Sequence, residues 1–121
     1  MVTIIIPKEV LPSWNKLYAQ THWGVRKRMA DEWHELVAWA VLEQKIGKVG
    51  YNGRTLEISV KCYYPKLRHV LDPDNICIKL AIDGLKGLVI EDDDWKHIRK
   101  VSSASSVDKD NPRTEITISW I

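Results

Sequence analysis

The chain has 121 residues, 45% apolar and 28% charged, with two cysteines and a formal net charge of +2. That size and composition fit one globular domain over residues 1–121, able to bury a core without disulfides or a structural metal. Its apolar runs fall far short of the roughly 20 residues of a membrane helix, and Met1–Pro7 lacks the basic and long apolar parts of a signal peptide. A cytoplasmic protein with no membrane partner is expected, and Cys62 and Cys77, without metal or redox spacing, read as reduced core thiols.

In chain order, Val2, Ile4 and Ile6 predict a β-branched strand closed by Pro7. Residues 7–23 read as a loop. From Gly24 to Lys45 the period turns helical, with Val25, Met29, Trp33, Leu36, Val37 and Ala40 on one apolar stripe. Leu56, Ile58, Val60 and Cys62 alternate with Glu57, Ser59 and Lys61, the pattern of a half-buried strand. A second helix is expected from Asp74 or Asn75 to Asp83, with Asp74 as its N-cap and Gly84 ending it. Ile98–Val101 and Glu115–Trp120 predict two more strands, with Ser102–Arg113 a polar loop between them. The order β-α-β-α-β-β predicts an α+β (mixed α/β) fold, one sheet packed by two helices.

Charge is unevenly placed. Residues 1–70 hold 11 Lys and Arg against 6 Asp and Glu, residues 71–94 hold 2 against 7, and residues 95–121 hold 5 against 3. Basic surroundings suit a nucleic-acid binder. The acidic block inside them does not, unless a cation neutralises it.

That block comprises Leu71-Asp72-Pro73-Asp74-Asn75, Lys79, Asp83-Gly84-Leu85 and Ile90-Glu91-Asp92-Asp93-Asp94. In an extended segment Asp72 and Asp74 point to the same side. A third carboxylate from residues 92–94 completes an oxygen-ligand set for Mg²⁺ or Mn²⁺. Phosphodiester hydrolysis uses such a set, and Lys79 is placed to stabilise phosphate charge. Taken singly, an Asp-x-Asp pair is most often a turn or a helix cap, and an Asp run a solvated patch. An EF-hand is excluded because Ile76 and Cys77 stand where that loop needs an oxygen ligand and a glycine. The chain has no His/Cys metal spacing, no nucleophile elbow and no Gly-rich phosphate loop, so no nucleotide cofactor is expected.

With these residues in hand, the sequence resembles the RusA family of Holliday-junction resolvases over most of its length. Leu11-Pro12-Ser13-Trp14-Asn15-Lys16 with His22-Trp23 is similar to the family's Pro-Ser-x-Asn region, and Asp72-Pro73-Asp74-Asn75 to its Asp-x-Asp-Asn core. Lys79, Asp83-Gly84-Leu85, Gly87 and Asp92-Asp93 follow in family order. The resemblance implies a small, homodimeric, Mg²⁺-dependent endonuclease of DNA recombination and repair, common in phages and prophages, that cuts branched DNA in symmetric strand pairs. It implies Asp72, Asp74 and Asp93 as catalytic metal ligands, with Asp92 the alternative third ligand, and Lys79 as the catalytic lysine. One departure stands out. Lys79 falls five residues after Asp74 rather than the family's usual four, about 100° of rotation on a continuous helix.

Arg26, Lys27 and Arg28 on the first helix, and Lys66, Arg68 and His69 ahead of the carboxylates, are candidate phosphate contacts that position DNA without reading sequence. Trp23 is expected to cap the core, with stacking on an exposed base at a branch point as the alternative, and Trp33 to lie in the core or an interface, while His97 suits either a phosphate or a structural hydrogen bond. Two other functions fit parts of the pattern: a branched-DNA binder that has lost catalysis, and a sugar or nucleotide transferase using Asp-x-Asp.

Overall fold

A computed structural model describes residues 1–19 and 22–121. The expected order appears: β1 (Val2–Pro7), α1 (Trp23–Glu43), β2 (Leu56–Tyr64), α2 (Ile78–Leu85), β3 (Ile98–Val107) and β4 (Arg113–Trp120). The strands form one sheet in the order β1-β4-β2-β3, with β2 and β3 parallel and the other pairs antiparallel. A parallel pair requires a crossover. Here the crossover is residues 65–97, so the whole acidic block lies on the path between β2 and β3.

The alternation in β2 puts Leu56, Ile58, Val60, Cys62 and Tyr64 on the inner face, level with Ile4 and Ile6 of β1 and Ile116 and Ile118 of β4. Trp33, Val37 and Ala40 of α1 and Leu80, Ala81 and Leu85 of α2 are buried in the same core. His22 starts α1 by accepting the Gly24 N–H on Nδ1 at 3.2 Å. Just past its end, the Gln44 amide bonds both the N–H and the C=O of Ile5, at 2.9 and 2.6 Å. That pair fastens α1 to the sheet and occupies backbone groups that an edge strand otherwise leaves open. Both cysteines are buried and unpaired, and burial pushes both thiols up in pKa, so neither is a ready nucleophile.

Four expectations are corrected. Asp74 does not cap α2: Pro73–Asn75 forms its own 3₁₀ turn, with the Asn75 N–H on the Asp72 carbonyl at 2.9 Å. The Cys77 N–H then bonds the Pro12 carbonyl at 2.9 Å and Ile76 bridges to Ser13, which holds two residues out of helical form before α2 begins at Ile78. Gly84 does not end α2 but is buried inside it. A Cβ there would sit 3.0 Å from the Val37 side chain, so glycine permits the close approach of α1 and α2. The reversal after α2 falls to Gly87, at φ +82°.

The third correction is that β3 runs on through Ser102–Ser106 to Val107, where a loop was expected, leaving only 108–112 to turn the chain. No apolar alternation marks this stretch: its backbone pairs with β2, and its serine side chains take polar partners. Ser102 bonds Ser59 across the open face at 3.2 Å, and Ser103 and Ser105 bond backbone carbonyls of the crossover on the other face. Finally, part of the expected 7–23 loop is helical, a π-type turn over Asn15–Ala19.

Candidate active site

Two serines position the Asp-x-Asp segment. Ser105 Oγ donates to the Leu71 carbonyl, and Ser103 Oγ donates to the Pro73 carbonyl at 2.5 Å. Since 71 to 73 matches 105 to 103, the segment runs antiparallel to β3, toward the strand's start at Ile98. Asp72 and Asp74 are exposed along this path. From the other side, Pro12 and Ser13 bond Cys77 and Ile76, so the Leu11–Lys16 and Asp72–Asn75 motifs, far apart in sequence, are neighbours in space.

The acidic run leaves a pinned turn. The Leu85 carbonyl, at the end of α2, accepts N–H groups from Leu88, Val89 and Ile90 at 3.0, 2.9 and 3.3 Å. Gly50 bonds the Val89 carbonyl at 2.9 Å, and Val89 and Ile90 are fully buried. The next four side chains are therefore presented from a fixed base. Asp92 Oδ1 accepts the Asp93 N–H at 2.7 Å and lies 3.3 Å from Lys86 Nζ, which is 3.5 Å from Asp93 Oδ1. The Asp93 N–H, then Lys86, hold the Asp92 carboxyl below the usual range, while the hydrogen bond and charge of Asp92 push Lys86 up.

Lys79 is the second residue of α2, and its ammonium lies 3.2 Å from Asp83. Its pKa is raised first by Asp83 and in smaller part by the charges of Tyr18 and Asp93. Ile76 and Cys77 between Asp74 and Lys79 are not helical, so the rotation expected on a continuous helix does not apply.

Asp94 turns to its own backbone. It accepts N–H groups from Lys96 and His97, both at 3.1 Å, and meets His97 Nδ1 at 2.6 Å. Ligand atoms of Asp92, Asp94 and His97 lie within 4.8 Å of one another. Among the described residues no other acidic or His/Cys trio reaches that spacing, so Asp72, Asp74 and Asp93 do not close on one point. Lys86 and the Asp94–His97 pair went unnoticed as partners in the sequence, where no periodic spacing links Lys86 to Asp92.

The Asp94 hydrogen bond raises the His97 pKa, and His97 lowers that of Asp94. A raised imidazole contributes stability below its unfolded value of about 6.5 and loses it as pH rises through the folded value. A depressed carboxyl contributes above about 4 and loses it as pH falls through its folded value. The turn is therefore most secure in the mildly acidic window between them. In an NMR titration His97 should titrate above 6.5 and return toward it in Asp94→Asn; an unshifted His97 in the wild type would contradict the pairing.

The basic candidates divide. Arg26 lies over the Tyr18 ring at 5.7 Å, and Tyr18 stacks on Trp14 at 5.3 Å, which anchors this cation beside the segment facing Lys79. Lys27 is bound to Asp31 of its own helix at 2.9 Å, and Arg28 is exposed. Lys66, Arg68 and His69 are exposed at a 3₁₀ turn over Leu67–His69, and His69 lines a groove with Lys16, Ser13 and Leu71. Trp33 is buried as expected, but Trp23 is 67% exposed and does not cap the core.

Carboxylates at Asp72, Asp74 and the turn of residues 91–94, flanked by lysines and basic turns on a small α+β fold, suit an enzyme that cuts nucleic acid. The family model described as endodeoxyribonuclease RusA matches residues 7–119, and the chain belongs to that family. A search of curated proteins found no match.

Proposed function

We propose that this nuclease is a divalent-metal-dependent, structure-specific endodeoxyribonuclease that resolves Holliday junctions by paired symmetric cuts. The observation that supports the reading is the serine clamp from β3, which pins the Leu71 and Pro73 carbonyls and leaves the Asp72 and Asp74 side chains exposed. In this reading Asp72, Asp74 and Asp93 hold the ion, with Asp92 as the alternative third ligand. An all-oxygen set fits Mg²⁺, and Mn²⁺ also fits. The closer trio fits less well as a resident site, because Asp94 and His97 already bond each other at 2.6 Å. When bound, the ion supplies charge against the phosphoryl oxygen and lowers the pKa of a water.

The chain's own groups do the rest. Lys86, 3.5 Å from Asp93, and Lys79 of α2 offset charge that develops on the phosphate. Arg26, Lys66, Arg68 and His69 hold flanking phosphates, with Lys27 and Arg28 farther along α1. One small site makes one cut, so a homodimer is proposed: a two-fold axis presents two sites to opposing strands of a symmetric junction. Among the described residues no helix is long and apolar enough to cross a membrane, and we place the enzyme in the cytoplasm.

The test is cleavage of a labelled immobile four-way junction and of linear duplex of the same sequence, each with Mg²⁺ and with EDTA. Paired symmetric nicks on the junction alone, only with metal, are expected. Equal cutting of duplex would overturn junction specificity, and cutting in EDTA would overturn metal dependence.

A further inference from the structure

We propose that Trp95 and Arg99 form a stacking platform for an unpaired base at the branch point, beside the carboxylates. The inference rests on the reading above that the substrate is branched DNA. Trp95 directly follows Asp94 and is 68% exposed. The turn beneath it is fixed: the Asp94 carboxylate bonds the N–H groups of Lys96 and His97, and the Asp94 carbonyl accepts His97 and Ile98 N–H at 3.1 and 2.9 Å. The indole is therefore presented from a rigid base. On one side the Arg99 guanidinium lies 5.2 Å from its ring.

The surroundings select the ligand. Residues 95–100, Trp-Lys-His-Ile-Arg-Lys, bring cations directly after the acidic run. Lys96 and Arg99 are exposed and suit the phosphates on either side of a splayed nucleotide, while the indole face takes any base. Trp23 is about as exposed but opens α1 and does not follow the acidic run, and two further exposed tryptophans lie among carboxylates or are already engaged. Trp39 lies in a groove rimmed by Glu9, Glu32 and Glu35, which repels DNA. Trp120 is covered by Arg54 at 4.1 Å and donates its indole N–H to the Val49 carbonyl. Duplex DNA keeps its bases stacked on one another, so the platform distinguishes branched from linear substrate.

The experiment places 2-aminopurine at the crossover of a four-way junction and follows its fluorescence on binding in EDTA, with junction cleavage in Mg²⁺ measured separately. Wild-type protein should change the fluorescence at the crossover and not at a position within an arm. Trp95→Ala should lose that change and cut the junction about ten- to a hundredfold more slowly, the range for losing one base–aromatic stack. Trp95→Phe should keep both largely intact, and Arg99→Gln should fall between. Thermal unfolding and sedimentation of each variant should match wild type. Trp95→Ala with wild-type fluorescence and cleavage would overturn the platform and leave the nuclease reading standing. Dissociation of a dimer by Trp95→Ala would also overturn it, by making the indole an interface residue. If wild-type protein neither binds nor cuts branched DNA, the substrate reading fails, and the platform with it.

Discussion

Asp72→Asn and Asp74→Asn proteins should fold normally, bind a four-way junction and fail to cut it. Both carboxylates are exposed, and neither makes a side-chain bond among the described residues. Surface changes of this kind alter stability by no more than about 0.5 kcal/mol. Cleavage should fall by about a hundred- to a thousandfold or more, the scale seen when a group that stabilises transition-state charge is lost. Junction affinity in EDTA should hold or rise, since each change removes a negative charge facing phosphate. Asp93→Asn should also abolish cleavage while freeing Lys86 from one of its two partners, at 3.5 Å. Asp94→Asn should mainly loosen the 94–97 turn, because that carboxylate is committed to His97 and the backbone. Single-turnover cleavage of labelled junction by each variant, beside thermal unfolding, checks all four. Full cleavage by Asp72→Asn, Asp74→Asn and Asp93→Asn would end the carboxylate assignment, and loss in Asp94→Asn alone would move the third ligand to Asp94.

The legible parts of the sequence were those governed by local periodicity. The stripe on α1 and the alternation in β2 exist because one face of each element is buried, so element order and fold class follow. Ser102–Ser106 was illegible as strand because it pairs with β2 and its serines bond Ser59 and carbonyls 71 and 73, information stored elsewhere in the chain. The start of α2 was misread for a related reason. Asp74 and Asn75 have the chemistry of a helix cap, but the Cys77 N–H is taken by Pro12, and that tertiary bond outweighs a local preference. Candidate carboxylates could be picked by type and spacing. Their partners could not: Lys86 reaches Asp92 and Asp93 only because the chain reverses at Gly87.

Leu85→Ala should be the most damaging single truncation for the geometry of the site, although Leu85 contacts no substrate in the proposed mechanism. Its side chain is fully buried, and its carbonyl anchors the N–H groups of Leu88, Val89 and Ile90. Truncation removes apolar burial and leaves a cavity between α2 and the sheet, at a cost of about 2–5 kcal/mol. That is a large share of the roughly 5–15 kcal/mol that stabilises a domain. The guanidinium midpoint should drop with little change in slope, and the melting temperature should fall by on the order of 10 °C. The backbone bonds that set the 88–90 turn survive in principle, yet they lose the packed base that holds the Leu85 carbonyl still. Junction cleavage measured well below the new melting temperature should therefore fall more than junction binding, because Asp92 and Asp93 lose position while Arg26 and Arg68, the proposed phosphate contacts, do not. An unchanged melting temperature would show that α2 does not depend on this contact. A large stability loss with wild-type cleavage of the folded fraction would instead separate the core from the site.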